Sequence, residues 1–210
     1  MIFEDRRDAG KQLSQRLLKY KVQNAVVVAL PRGGVPVGFE IAKSLRVPLL
    51  VLPVRKIGAP FNSEYAVGAI ASGGVMHMLE GIPERELKDI IEQQKQELRR
   101  REKIYGSLPL LSGKTIIIID DGLATGLTAK AAITAVKKQK PQKIILAVPC
   151  CPLEAQEEFE KLVDEFISLK KERNFTAVGA MYRSFDQVSD EEVVSLLFSN
   201  SSNKSQMDSN

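Results

Sequence analysis

The sequence is poor in several residue types, and each shortage narrows what the chain can do. It has only two cysteines, Cys150 and Cys151, and they are neighbours. Vicinal cysteines rarely form a structural disulfide, so nothing points to an oxidising compartment, and a cytoplasmic location is expected. No charged-then-apolar leader opens the sequence, and no apolar run approaches the roughly 20 residues that span a bilayer, so no membrane partner is expected. The excess of positive charge is only +4, with Lys and Arg scattered along the chain. That is too diffuse to demand nucleic acid; a small anionic substrate fits equally well. Histidine occurs once, as His77 between Met76 and Met78. It is either a general base or, in that setting, a packed or exposed loop residue.

What the sequence does contain is alternation. Its 210 residues, 44% of them hydrophobic, suffice for one α/β domain with a full core. Apolar runs at 24–30, 48–54, 115–119 and 143–148, with a short one at 165–169, read as buried strands. Helical spacing is found at 5–20, 37–45, 84–105, 126–138 and 153–162. Continuous apolar strands alternating with helices predict a parallel sheet of about five strands with helices on both faces. Residues 55–82 mix glycines with short β-like pieces and read as an irregular hairpin or mobile loop. A last small unit, within about 170–198, ends in a helix that Ser189 can cap. The expected domain is 1–198, and the polar stretch 199–210 is expected to be disordered.

The chemistry concentrates in "IIIIDDGLATGLTA", residues 116–129. Asp120 and Asp121 end a buried strand side by side, where two anions repel each other and lose hydration. In a parallel sheet this end of a strand is where ligands bind. The small residues that follow lead into a helix, so backbone amides and the helix dipole can meet one anion, with Thr125 and Thr128 adding hydroxyl donors. No lysine stands beside the last threonine and the spacing is not that of a Walker loop, so a single phosphate fits better than a nucleoside triphosphate. Ionised aspartates accept hydrogen bonds only, which suits the vicinal hydroxyls of a ribose. Phosphate on one side and a diol on the other describe a ribose 5-phosphate. The alternatives at this stage are a helix cap or the acid pair of a receiver domain.

Residues 116–128 resemble the phosphoribosyl pyrophosphate signature of the type I phosphoribosyltransferases. The resemblance extends to "ALPRGGVPVG", similar to that family's pyrophosphate loop, and to "RKIGAPFNSEYAVGAI", placed where the family keeps a mobile catalytic loop. The ending "NFTAVGAMYRSFDQVSDEEV" is similar to a bacterial subgroup of these enzymes whose substrates are mostly unassigned. The resemblance implies the type I fold with a flexible hairpin loop and a small hood. It also implies transfer of ribose 5-phosphate from phosphoribosyl pyrophosphate to a nitrogenous base, with Mg²⁺, release of pyrophosphate, and a homodimer.

Carried onto this chain, the donor site is Asp120, Asp121, Gly122, Ala124, Thr125, Gly126, Leu127 and Thr128. Arg32, Gly33 and Gly34 would take the pyrophosphate, with Lys56 or Arg55 as helpers. Asp120, Asp121, Arg32 and Lys56 form the catalytic set, and the two aspartates would touch Mg²⁺ indirectly, through ribose or water. Tyr182 and Phe185 either stack on a base or belong to an aromatic core. Members that act on 6-oxopurines carry an acid where this chain has Ala124, so the acceptor stays open. A non-catalytic sensor of phosphoribosyl pyrophosphate or of a nucleotide is the alternative function. The basic run Arg99–Arg101 either points at the site or solvates its helix, and Cys150 and Cys151 read as small core residues.

Overall fold

The structure, a computed structural model, describes residues 2–21, 24–79, 81 and 84–207, with backbone alone for Glu64, Glu84 and 202–207. Helix α1 (Arg6–Leu17) starts at Asp5, whose carboxylate accepts from the Asp8 amide at 2.7 Å. Strand β1 (Ala25–Ala29) is followed by α2 (Gly34–Leu45) and β2 (Leu49–Val51). Strand β6 (Thr115–Ile119), α4 (Leu127–Lys137), β7 (Lys143–Pro152), α5 (Ala155–Glu160) and β8 (Glu165–Glu172) complete the main sheet. Its order is β2-β1-β6-β7-β8, and every pairing is parallel.

The apolar runs have no polar face because both faces of this sheet are covered. Val26, Val28, Ile116, Ile118, Ile144 and Leu146 enter a cluster with Ala132, Ile133 and Val136 of α4. The alternate residues Val27, Ala29, Ile117, Ile119, Ile145 and Ala147 enter another, with Leu13 and Leu17 of α1 and Val37 and Ile41 of α2. A period-two strand between two helical layers must be apolar at every position.

Several boundaries differ from the sequence reading, for local reasons. Helix α2 begins at Gly34 rather than 37, because Pro36 sits in the first turn, where a missing N–H breaks no helical bond. The run 48–54 splits at Pro53, and its end belongs to a second sheet. The stretch 55–82, expected as an irregular hairpin or mobile loop, holds that hairpin: β3 (Val54–Ala59) and β4 (Asn62–Ala71) pair antiparallel with register shifts on either side of Gly58, and β5 (Val75–Met78) extends the pair into a three-stranded meander. Residues 80, 82 and 83 of that stretch lie outside the described residues. The meander is ordered by its own small core, in which Ile57, Val67 and Ile70 bury against Leu87, Ile91 and Leu98 of α3 (Lys88–Tyr105) and its entry turn.

Strand β7 runs past 148 to Pro152. Its pairing with β6 ends at Ala147, so the missing N–H of Pro149 costs no bond on that side, while β8 continues alongside as far as Glu172. Helix α6 (Asp190–Met207), with Ser189 Oγ accepting from the Glu192 amide at 3.1 Å, continues through most of the stretch expected to be disordered; residues 208–210 lie outside the described residues.

Ile117 is fully buried at the centre of the main sheet. Ile117→Ala should cost about 2–5 kcal/mol, read as a lowered urea midpoint with the slope unchanged. A loss well under 1 kcal/mol would contradict this placement.

Candidate functional site

From β1 the chain crosses to β2 on one side, while β6 lies on the other, so the carboxyl ends of β1 and β6 flank the topological switch point of the sheet. The Leu30 amide donates to the Ile119 carbonyl at 2.8 Å, which holds the two loops in register. The chain then turns at Pro31–Arg32, a cis peptide. A Cβ on Gly33 would fall 1.9 Å from Asp121 Oδ2, and one on Gly34 would fall 2.7 Å from the Ile119 carbonyl oxygen. Neither position has room for a side chain. The glycines of "PRGG" therefore serve first to let the loop lie against the aspartates.

Asp120 and Asp121 are thereby partly withdrawn from water. Burial, reinforced by the Asp121 charge, pushes the Asp120 carboxyl well above its ordinary value. Burial raises Asp121 as well, and the Arg6 guanidinium opposes that rise. Asp120 Oδ1 accepts from the Asp121 amide at 2.9 Å, and Asp121 Oδ2 accepts from Arg6 Nε at 2.8 Å. Arg6 is itself fixed, since it donates to the Asp186 carbonyl at 2.7 Å and lies 3.8 Å over the Phe185 ring. The Tyr182 hydroxyl donates to the Asp121 carbonyl at 2.5 Å. Tyr182 packs between Phe3 and Phe185, with ring centroids at 5.4 and 5.0 Å.

The following loop has one buried side and one open side. Gly122 is wedged against Val178 and Cys150, and the Leu123 amide donates to the Cys150 carbonyl. Ala124 and Thr125 are exposed. Gly126 has φ +70° and lies on the Phe159 ring, where a Cβ would come within 2.7 Å. Helix α4 starts at Leu127, and its first amides have no intrahelical acceptor. With the half-exposed Thr128, this is a surface of backbone and hydroxyl donors at a helix amino end, immediately after two carboxylates.

The structure thus brings Arg32, Gly33, Gly34, Asp120, Asp121 and the loop 122–128 to one place. Arg32 is already engaged there: its guanidinium is 3.8 Å from Asp190 Oδ1, at the start of α6. Tyr182 is a buried support for the Asp121 backbone, as an aromatic core residue would be, and the face of Phe185 is covered by Arg6. Lys56 is exposed on β3 and lines a cavity of about 530 Å³ with Arg55, Phe61, Gln93 and Gln94. His77 lies in β5 opposite Ala69, its pKa lowered by burial and by Lys130, and lines a separate hollow with Lys130 and Glu158.

Both cysteines are buried in β7. Burial, with Asp121 next in effect, pushes the Cys150 thiol up to about 12, and Cys151 donates to Ser168 Oγ. Neither is a reactive thiolate. Arg6 and Asp190 are the residues that sequence reasoning missed. Asp5, the cap that starts α1, was the only signal near Arg6, and it speaks of helix ends rather than of a site.

Comparison with known proteins bears on the family and the fold. Residues 4–183 match the family described as the phosphoribosyl transferase domain. A protein of Mycobacterium tuberculosis named as a phosphoribosyl transferase, with no acceptor specified, is 43% identical over 206 residues. That match takes in 93% of this chain and 46% of the relative, so the chain spans about half the length of the curated relatives it matches. The crystal structure of TT1426 from Thermus thermophilus superposes with a TM-score of 0.78 at 35% identity, covering 95% of this chain and 99% of that one. A hypoxanthine phosphoribosyltransferase from Staphylococcus aureus shares the fold, with a TM-score of 0.50 at 15% identity over 91% and 92% of the two chains.

The burial of the acid pair predicts a pH-dependent cost. The folded protein holds carboxyl protons that the unfolded chain has released above about pH 3.9, so stability falls as pH rises through the raised folded values. Asp120→Asn keeps the acceptor for the Asp121 amide and removes that cost. It should raise the melting midpoint by about 2–4 °C for each kcal/mol recovered, more at pH 8 than at pH 5. A midpoint that falls at pH 8 would contradict the assignment of the cost to this pair.

Proposed function

The chain belongs to the phosphoribosyl transferase domain family, and from that premise we propose that it transfers ribose 5-phosphate from phosphoribosyl pyrophosphate to a nitrogenous acceptor, releasing pyrophosphate. The observation that carries this reading is the contiguity of two half-buried carboxylates with an open helix amino end at the switch point of the sheet. In it the amides of Ala124, Thr125, Gly126, Leu127 and Thr128 hold the 5-phosphate, and Asp120 and Asp121 accept from the ribose hydroxyls. Arg32 and the backbone of Gly33 and Gly34 hold the diphosphate, with Lys56 as a more distant cation.

Cleavage at C1 builds positive charge on the ribose and negative charge on the leaving group. The site's task is then orientation and fixed charge rather than nucleophilic attack. The adjacent carboxylates lie beneath the developing cation in this arrangement and favour it electrostatically.

The donor set fits Mg²⁺ only as a companion of the substrate. Among the described residues no group of three or more His, Cys, Asp or Glu side chains could hold a metal, and Mg²⁺ is commonly held by one or two carboxylates together with substrate phosphates. Bound in that way, it would neutralise charge on the departing diphosphate. Ala124 is exposed and carries no proton-transfer group, so proton removal from the acceptor falls to another group or to solvent.

A second reading, a module that senses the donor without turnover, is favoured by one observation: Asp121 and Arg32 both already have partners within the chain, Arg6 and Asp190. Labelled phosphoribosyl pyrophosphate, Mg²⁺ and a panel of bases separate the two readings. Base-dependent release of pyrophosphate is expected, and Asp121→Asn should lower kcat/KM about 100-fold while the fold persists. Binding of the donor with no release for any base would establish the sensor instead.

A further inference from the structure

Four guanidiniums gather around the mouth of the Arg32 loop, and among the described residues fewer carboxylates face them. On α3, Gln94, Glu97, Leu98, Arg101 and Tyr105 recur at helical spacing on one side. Leu98 buries into the meander, which turns this side toward β3. There Arg55 Nε donates to Gln94 Oε1 at 2.8 Å. Arg101, with a side chain only 7% exposed, donates through Nε to Glu97 at 2.9 Å. Arg100 donates to Asp190 at 2.6 Å, and Arg32 lies 3.8 Å from the other oxygen of that carboxylate, which also accepts from the Tyr105 hydroxyl.

The charges do not cancel. Arg32, Arg55, Arg100 and Arg101 face Glu97 and Asp190, with Glu191 of α6 near Arg32 but fully exposed. Burial lowers the Arg55 pKa, and Arg101, Arg32 and Arg100 lower it further, against Glu97 alone raising it. Glu97 is held down to about 2, first by its hydrogen bond from Arg100, so its charge is fixed. Counting Glu191, four guanidiniums face three carboxylates, and with Arg55 half-buried and Arg101 buried the group favours a further anion beside it.

We propose that Arg55 and Arg101 extend the Arg32 loop into a diphosphate subsite in which Asp190 is the resident counter-anion, so that an incoming diphosphate takes over Arg32 and Arg100 from Asp190. The inference rests on the reading of Arg32 as the cation of a pyrophosphate loop. Asp190 can give up those partners without being stranded. It opens α6, where the helix dipole favours a carboxylate, and it keeps the Tyr105 hydroxyl. Arg101 has spent one of its five donors on Glu97, and its terminal nitrogens supply the fork that suits phosphoryl oxygens.

Calorimetry of inorganic pyrophosphate and, separately, of ribose 5-phosphate against the full chain tests this. Arg55→Gln and Arg101→Gln should each weaken pyrophosphate about tenfold. Both should leave ribose 5-phosphate within roughly twofold. Asp190→Asn should tighten pyrophosphate about threefold, because a competing carboxylate is gone. Arg55→Gln, on a half-buried side chain, carries the test should the buried Arg101 variant not fold. Unchanged pyrophosphate affinity in Arg55→Gln, or a loss in Asp190→Asn, overturns the subsite. Pyrophosphate behaving as expected with no binding of ribose 5-phosphate keeps the subsite and sinks the transferase reading.

Discussion

Two strand ends meet in this protein with no side chain between them. The loop after β1 lies against the end of β6 so closely that Gly33 and Gly34 have no room for a Cβ, and what they press on is a pair of adjacent aspartates. Desolvation of that pair follows directly, and so does the need for something to hold the charge in place. The chain answers from its ends. Arg6, in the first turn of α1, takes one carboxylate oxygen, and Tyr182, from the segment before α6, takes the backbone carbonyl of Asp121. The bridge between Phe3 and Tyr182, and the stack of Arg6 on Phe185, bind those terminal segments together over the switch point. The amino- and carboxyl-terminal elements are organised around two carboxylates that the central sheet alone would leave unsupported.

The result is a site whose charges are provisionally answered from within. Asp121 has Arg6, and Arg32 has Asp190. Both pairs are partly buried, where losing one partner is expensive. Under the proposed function, ligand binding is an exchange of partners: a hydroxyl donor shares Asp121 with Arg6, and a diphosphate replaces Asp190 at Arg32. Such an exchange lowers net affinity relative to an empty, preorganised site, yet it keeps the ligand-free protein folded.

The sequence made the central sheet and the loops of the site legible because both are local signals. Four isoleucines followed by two acids and a glycine-rich turn report burial, strand end and helix start within 13 residues. Arg6 and Asp190 were not legible, since each meets its partner across more than 100 residues of chain and carries no motif of its own. The meander β3–β5 was legible only as an irregular hairpin, because its glycines resemble loop punctuation and hide the third strand. Gly58 and Gly68 are instead places where a neighbour comes too near for a Cβ, Ser63 at one and Met78 at the other. Helix α6 outran its expected end because a polar composition argues against a core and not against a helix anchored at its start. That start is held by Ser189, Val193 and Leu196.

The division between backbone and side chain accounts for which half of the function a sequence reveals. On the side assigned to the phosphorylated sugar, recognition in the proposed reading is by amides at the start of α4 and by two carboxylates, all set by one turn of chain. Such a constellation demands particular residues at fixed spacing, and it leaves a signature. In the proposed reading the acceptor side is walled by Arg6, Phe185 and the segment 184–188, brought together by the bridge between Phe3 and Tyr182. Here the guanidinium already lies on the aromatic face that a base would stack upon. In the proposed reading, a base entering here stacks on Arg6 or competes with it for Phe185, so this one cation bears on the choice of acceptor.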